Sequence, residues 1–534
     1  MEKVGTRPAN ELPWRAQAVT GGKIMQRTDG ATFANGKPWG NWRWLLLLGL
    51  VLALGAFLRF YDLGGESYWF DELQTVFLAG KQALAQAIKE RGAAYMVLAH
   101  YWVRVFGVSE VATRSLSALL GIVSLGLAYV ISSRLFNHRV ALVSTFVMAI
   151  SEFQIHYSQD FRYYMPMMVA TLVSYLLFLR VLERPSLIRW AFYGLAGAIM
   201  VYFHSYGLFT LVAHNLYVAL RWKKHRALLP SWLLTQSLIA LAVVPVIIPD
   251  LVQSMEGAIA YLEWIPAPSW KTLLRTLYWY MFPLRHQRSW TSLFSNLALG
   301  IAFFVAGMGL YMMRATLPRW WAKVKRHLQD KRDWLLHKDT LLLLGLWLLC
   351  PILIPFLISK IAEPMYQPRY TIGAAAALYI LTGFAIIHFR DVIPPFVVLA
   401  TLVILIGPGL YHYYKADVKE QWDDVSSYIE ANGQAGDVIA FLPDAKGWHQ
   451  KTFDFYYAGA LPTCSLAAVP TDAHDLASHL ATCADRRDRV WLVSRYLCPE
   501  VEQKLDALLV RGDTNAFKAS KIDFVSIFVY LVEF

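Results

Sequence analysis

The chain has 534 residues, of which 57% are hydrophobic and only 16% charged, against about 25% charged in ordinary soluble proteins. Its Leu-rich runs recur too often for one globular core, and several reach the roughly 18 to 20 residues that cross a bilayer, which excludes a soluble enzyme and predicts a polytopic membrane protein. The formal charge of +12 comes from 50 Lys and Arg against 38 Asp and Glu. Residues 415–534 hold 12 basic and 18 acidic side chains, so the positive excess lies wholly in the first 414 residues. That distribution is a membrane-topology signal and predicts no nucleic-acid partner.

In chain order, residues 1–41 are polar, basic and contain Gly and Pro without an apolar h-region, which reads as a disordered cytoplasmic arm. The first span runs from about Arg43 to Phe60. Further spans are expected near 112–133, 139–157, 163–181, 188–203, 206–220, 229–252, 291–313, 340–359, 370–388 and 392–411. Two shorter stretches, about 94–107 and 270–283, are spans, re-entrant pieces or interfacial helices, so the total is about eleven to thirteen. Alternating these spans from an inside N-terminus puts the basic loops on one side: Arg134 and Arg139, Arg180 to Arg189, Arg221 to Arg226, and Arg314 to Lys338. That side is cytoplasmic by the positive-inside rule.

The opposite, exoplasmic face collects GGESYWFDELQ (64–74), HYSQDFRYYM (156–165), FHSYG (203–207), a loop with EWIPAPSW (263–270) and AEPMYQPRY (362–370), together with the acidic tail. A chemical site is expected there. The tail, 415–534, reads as a soluble α/β domain: Trp422, Val425 and Ile429 recur at helical spacing, while Val438–Leu442, Arg489–Ser494 and Ile522–Phe534 look like strands;. Residues 42–414 form the membrane domain. Four cysteines (Cys350, Cys464, Cys483, Cys498) are too scattered for a metal site;. In an oxidising compartment Cys464 and Cys483 could pair, and buried free thiols are the equal alternative.

Asp71 and Glu72 follow an aromatic cluster and precede an amphipathic helix of about 72–90. Partial desolvation would make such a carboxylate a better general base, yet Asp71 with Gln74 is also a D-x-x-Q capping box with no catalytic meaning. In the second loop, Tyr157, Asp160, Arg162 and Tyr163 concentrate acid, base and aromatics at a span junction. Arginines there either hold a phosphate in bidentate fashion or snorkel to headgroups, and Arg369 beside Tyr370 has the same two readings. His204 is a packing residue or a site residue.

The order FDE, then W-x-x-x-FG-x-SE-x-x-x-R (Trp102, Phe106, Gly107, Ser109, Glu110, Arg114), RLFNHR, YSQDFRYY, YFHSYGLF and PRY resembles the bacterial membrane glycosyltransferases of the GT-C class. Within it the sequence is similar to the group of protein O-mannosyltransferases and lipid A aminoarabinose transferases. YSQDFRYY is the most specific element, close to the family's YSQEARMY. The resemblance covers about residues 43–225, returns at PRY and includes the C-terminal domain. Relatives carry a Pro pair before the stretch that is here Ala93-Ala94-Tyr95, a departure that bears on acceptor geometry.

The resemblance implies a GT-C fold and a polyprenyl-phosphate sugar donor, with transfer to a lipid, glycan or protein acceptor by an inverting mechanism. It implies Asp71 as base, Glu72 as its acidic neighbour, and Asp160 as the second acidic position. Arg162 and Arg369 would hold the donor phosphate, and Tyr157, Tyr163, His204 and Tyr370 would line the pocket. A divalent metal on Asp71 or Asp160 fits but is not required. The alternative class is a lipid or glycan transporter, against which stand the absence of internal repeats and of paired mid-span charges; a weaker one is a lipid-binding scaffold for the tail domain.

Overall fold

The computed structural model describes residues 42–81, 92–255, 265–282, 322, 331–362, 364–443, 447–468, 473–484, 489–495, 499–509 and 518–534. The expected arm 1–41 and the expected span near 291–313 lie outside the described residues. By contacts the chain divides into Met1–Leu45, of which only the first residues of a helix are described, and Leu46–Phe534, which holds everything that follows.

Fourteen helices of seven or more residues are described in the membrane region: α1 (Trp42–Phe60), α2 (Phe70–Lys81), α3 (Ala93–Phe106), α4 (Glu110–Leu135), α5 (His138–Ile150), α6 (Glu152–Ser158), α7 (Tyr164–Glu183), α8 (Leu187–Phe203), α9 (Gly207–Leu220), α10 (Leu229–Met255), α11 (Trp270–Met281), α12 (Lys331–Ile361), α13 (Ile372–His388) and α14 (Pro395–Tyr413). Seven are long and apolar enough to cross a membrane, those of α1, α4, α7, α10, α12, α13 and α14, and the shorter α8 and α9 are apolar. The chain is therefore a multi-pass membrane protein, as its sequence predicts. Side-chain caps start several helices: Ser109 accepts the Ala112 N–H ahead of α4, and Asn137 accepts those of Arg139 and Val140 ahead of α5;. Of the helix expected over about 72–90, α2 is described as far as Lys81 and starts two residues earlier; residues 82–90 lie outside the described residues.

The crossing expected at 139–157 is broken. Its halves α5 and α6 meet at 63° around Ser151, whose hydroxyl accepts the Gln154 N–H and donates to the Tyr280 carbonyl. A break leaves the last carbonyls of α5 without helical partners, a costly state away from water. Arg59, fully buried on α1, donates to two of them, Ala149 O at 3.1 Å and Met148 O at 3.5 Å, and also to Gly55 O of its own helix and Ser158 Oγ of α6, both at 3.1 Å. The bend turns α6 and the loop after it toward the start of α2, where Phe161 and Arg162 bond Glu72 and Asp71. Small residues bring α13 close to its neighbours. Ala374 to Ala377 are fully buried, and a Cβ on Gly383 would lie 2.1 Å from Ser144 Oγ;.

After α14 the chain runs through a linker into α15 (Trp422–Asn432), β1 (Val438–Phe441), α16 (Trp448–Tyr456), β2 (Thr463–Ser465), α17 (Ala473–Ala484), β3 (Arg489–Arg495), α18 (Pro499–Leu509), β4 (Lys518–Phe524) and β5 (Ile527–Glu533). The strand order is β2-β1-β3-β5-β4, with β2, β1 and β3 parallel and the last two pairs antiparallel. Successive side chains of β3 alternate between two cores. Val490 and Leu492 join Leu476, Leu480 and Leu505 on one face, while Trp491 and Val493 join Trp422, Ile429 and Phe453 on the other;. The α/β domain is as expected, with one difference. The stretch 522–534 is a hairpin rather than one strand, because Val525 and Ser526 form its turn, with Ser526 at φ 58°. Cys464 and Cys483 form a disulfide between β2 and α17.

Gly121 of α4 faces Arg59, and a Cβ there would lie 2.5 Å from Ser158 Oγ and 2.8 Å from Arg59 Nε, whereas one on Gly126 meets nothing within 4 Å. Gly121→Ala is expected to cost about 1–3 kcal/mol through overpacking and to lower the melting temperature in detergent. Gly126→Ala should leave it unchanged, and equal melting of the two variants would contradict the assignment.

Candidate active site

The loop before α2 is held by one side chain. Arg114, buried near the start of α4, donates to the carbonyls of Leu63 (3.2 Å), Glu66 (2.7 Å) and Ser67 (2.9 Å) and forks onto Glu72 at 3.0 and 2.8 Å. Glu72 also accepts the Phe161 N–H at 2.7 Å and the Lys419 ammonium at 2.9 Å, and none of it is exposed. Burial by itself would raise its carboxyl, but Arg114 and Lys419 outweigh burial and hold it well below the usual carboxylate range;.

Asp160 closes the same cluster. Its carboxylate accepts Lys419 Nζ at 2.8 Å and lies 4.0 Å from His156 Nε2, while Lys419 also donates to Gln159 O at 2.9 Å. Lys419 itself is 4% exposed. Among the described residues no group of three or more His, Cys, Asp or Glu gathers as a metal site. The oxygens of Glu72 and Asp160 converge on an ammonium instead.

Asp71 differs from its neighbour. The capping-box reading is corrected by the structure, since Asp71 is the second residue of α2 and the Phe70 N–H is accepted from outside by Glu420 at 3.0 Å. The Asp71 side chain is 24% exposed, and its carboxylate stands 3.7 Å from Arg162. Arg162 donates to Asp71 O and Thr75 Oγ1, both at 2.8 Å, and lies over the Tyr163 ring. Burial opposes its charge, but the adjacent Asp71 holds the guanidinium protonated beyond its ordinary range. Arg369, in the turn before α13, lies 5.7 Å over the Trp69 ring and 5.5 Å over Tyr370, within electrostatic reach of Asp71;.

Tyr163, His204 and Tyr370 form one aromatic wall, with His204 centred 4.8 Å from Tyr163 and 4.7 Å from Tyr370. Tyr157 packs behind it, its ring tilted 60° against that of Tyr164. All nine residues singled out in the sequence thus fall in one region, with Glu72 and Asp160 inside the wall and Asp71, Arg162 and Arg369 at its surface. Four buried donors there have no acceptor among the described residues: Trp69 Nε1, Tyr95 Oη, Arg162 Nε and Tyr164 Oη.

Two cavities flank the cluster. A polar one of 340 Å³ is lined by Trp69, His156, Asp160, Arg369 and Lys419, and reaches Ser526 in the β4–β5 turn of the C-terminal domain. An apolar one of 290 Å³ lies among α3, α4, α7 and α8 and ends at Pro166 and Phe203, beside Tyr164 and His204. The basic ends of the bundle, Arg134 with Glu183 and Arg221 with Asp339, are separated from this site by the lengths of α4 and α7.

Residues 93–248 match the family model described as dolichyl-phosphate-mannose-protein mannosyltransferase. No curated protein matches the sequence. Similar solved structures include ArnT from Cupriavidus metallidurans bound to undecaprenyl phosphate, at 12% identity and a TM-score of 0.48 over 93% of this chain and 98% of that one. Another is the oligosaccharyltransferase of Archaeoglobus fulgidus in complex with Zn and sulfate, at 12% identity and a TM-score of 0.48 over 91% of this chain and 72% of that one. The family match covers less than half of the chain and agrees with the motif order, so residues 93–248 are similar to this family of membrane mannosyltransferases.

Sequence reasoning missed Lys419, Glu420, Trp69 and Tyr95. The first two stand 347 to 350 residues from their α2 partners, and no local pattern encodes that pairing; their one signal is a Lys-Glu pair directly after the last span. Because the folded state depresses the Glu72 carboxyl, its stabilisation is complete above the unfolded value near 4.3 and is lost as pH falls through the folded one. Glu72→Gln is expected to lower stability by about 3–5 kcal/mol at neutral pH and to flatten the acid limb of the melting temperature; an acid limb equal to that of the parent would exclude Glu72 from this role.

Proposed function

We propose that the enzyme transfers a sugar from a polyprenyl-phosphate carrier to an acceptor hydroxyl at the outer face of the membrane. The acceptor oxygen attacks the anomeric carbon as the bond to the carrier phosphate breaks. The leaving phosphate takes that electron pair, Asp71 accepts the hydroxyl proton, and attack opposite the leaving group inverts the centre. Arg162 and Arg369 hold the phosphate, where fixed cations favour the charge that grows in the transition state. Glu72 touches no substrate in this scheme and positions α2, while Asp160 lines the polar chamber that takes the sugar.

The observation that carries this reading is the set of buried donors without acceptors among the described residues, beside two guanidinium groups and a part-exposed carboxylate. Buried donors are rarely left unpaired, and phosphate and sugar oxygens match them. The apolar cavity ending at Phe203 suits the prenyl chain, and the family description names a dolichyl-phosphate sugar. The basic ends far from the site support an exoplasmic site by the positive-inside rule, and with it a cytoplasmic N-terminus. The disulfide in the domain of 415–534 is in keeping with an oxidising compartment;.

Purified protein given polyprenyl-phosphate mannose and acceptor should release polyprenyl phosphate. Asp71→Asn is expected to lower kcat at least about 100-fold with unchanged melting, and Arg369→Ala to raise the KM for the carrier. Turnover by Asp71→Asn at the parental rate would remove the base, and unaltered carrier affinity in Arg369→Ala would remove the phosphate contact.

A further inference from the structure

We infer that Lys419, on the linker between α14 and the C-terminal domain, is a positioning residue of the proposed reaction. Its ammonium joins Glu72 to Asp160, and the seating of the C-terminal domain thereby sets the place of Asp71. The inference rests on the reading of the site as a glycosyl-transfer centre, but its geometry is independent of which sugar moves.

The ammonium makes three hydrogen bonds of 2.8 to 2.9 Å, to Glu72, Asp160 and the Gln159 carbonyl, which uses every proton it has;. Glu72 retains Arg114 without it. The Asp160 carboxylate accepts no other hydrogen bond among the described residues, so Lys419 alone joins that carboxylate to Glu72, beside the Phe161 N–H on Glu72 and the Arg162 bonds to Asp71 O and Thr75 that also tie the two loops. The linker is strapped to the α2 loop on both sides of Lys419. Glu66 accepts the N–H groups of Val418 and Lys419, Ser67 donates to Glu420 O at 2.6 Å, and Glu420 accepts the Phe70 N–H at the start of α2.

That strap belongs to the C-terminal domain as much as to the membrane. Arg495 at the end of β3 donates to Glu420 at 2.7 Å and lies 4.3 Å over the Phe70 ring, Trp422 donates to the same carboxylate, and the Val525 N–H of the hairpin turn bonds Gln421. Tyr456 of α16 accepts the Tyr68 N–H and donates to Glu110. Displacing the domain pulls Lys419 from the acid pair and releases both ends of the segment that carries Asp71.

The test uses the full-length protein with three variants: Lys419→Met, Lys419→Arg and Lys419→Ala. In Lys419→Met, hydrogen exchange in residues 63–75 should quicken at least about tenfold while β1 residues 438–441 remain protected. With polyprenyl-phosphate mannose, kcat should fall and the carrier KM should stay. Lys419→Arg should recover part of both. Lys419 lines the polar cavity, so ethylammonium can enter the space left in Lys419→Ala and should restore protection and kcat. Unchanged exchange at 63–75 in Lys419→Met, or failure of ethylammonium to restore it in Lys419→Ala, overturns the inference. Absence of turnover in the parent, with the exchange results as expected, refutes the transferase reading instead.

Discussion

Glu72, Asp160, Arg114 and Lys419 are buried together where the loops before α2 and α7 meet the linker, and the arrangement of the site depends on their mutual neutralisation. Removing such groups from water costs several kcal/mol each, and attraction offsets this only when the geometry is close and the remaining hydrogen bonds are made. Here they are made: Glu72 accepts four, and Arg114 gives two to it and three to the loop carbonyls. The cluster therefore has one workable arrangement. It ties the first loop, the second loop, α4 and the linker to the C-terminal domain at a single point.

A second buried cation serves the scaffold. Arg59 donates to the Ala149 and Met148 carbonyls at the α5–α6 break, so the bend can exist inside an apolar bundle that has no water to offer. The bend then delivers His156 to Tyr163 to the face where α2 begins. Division of labour between adjacent acids follows from the same geometry. Glu72 points inward and is fully engaged; Asp71, one residue earlier on the helix, points about 100° away and keeps part of its surface open to a reactant.

The C-terminal domain has a place in this account beyond covering the membrane face. Its hairpin turn borders the polar chamber through Ser526, and Glu420 supplies the cap at the start of α2 that Asp71 does not. A helix N-terminus capped by a distant carboxylate is set by tertiary structure, and the side chain freed from capping becomes available for chemistry.

What the sequence determined by itself is what local physics encodes. Apolar runs set the spans, and β3 alternation set a sheet covered on both faces. The motif order marked Asp71, Asp160, Arg162, His204 and Arg369 as one group before any geometry was known. Only the folded chain decided which acid faces solvent, that the crossing at 139–157 is broken, that 522–534 is a hairpin, and that Lys419 joins the acid pair. Each of these depends on contacts across tens to hundreds of residues, where a hydrogen bond or ion pair leaves no periodic trace in the segments that make it.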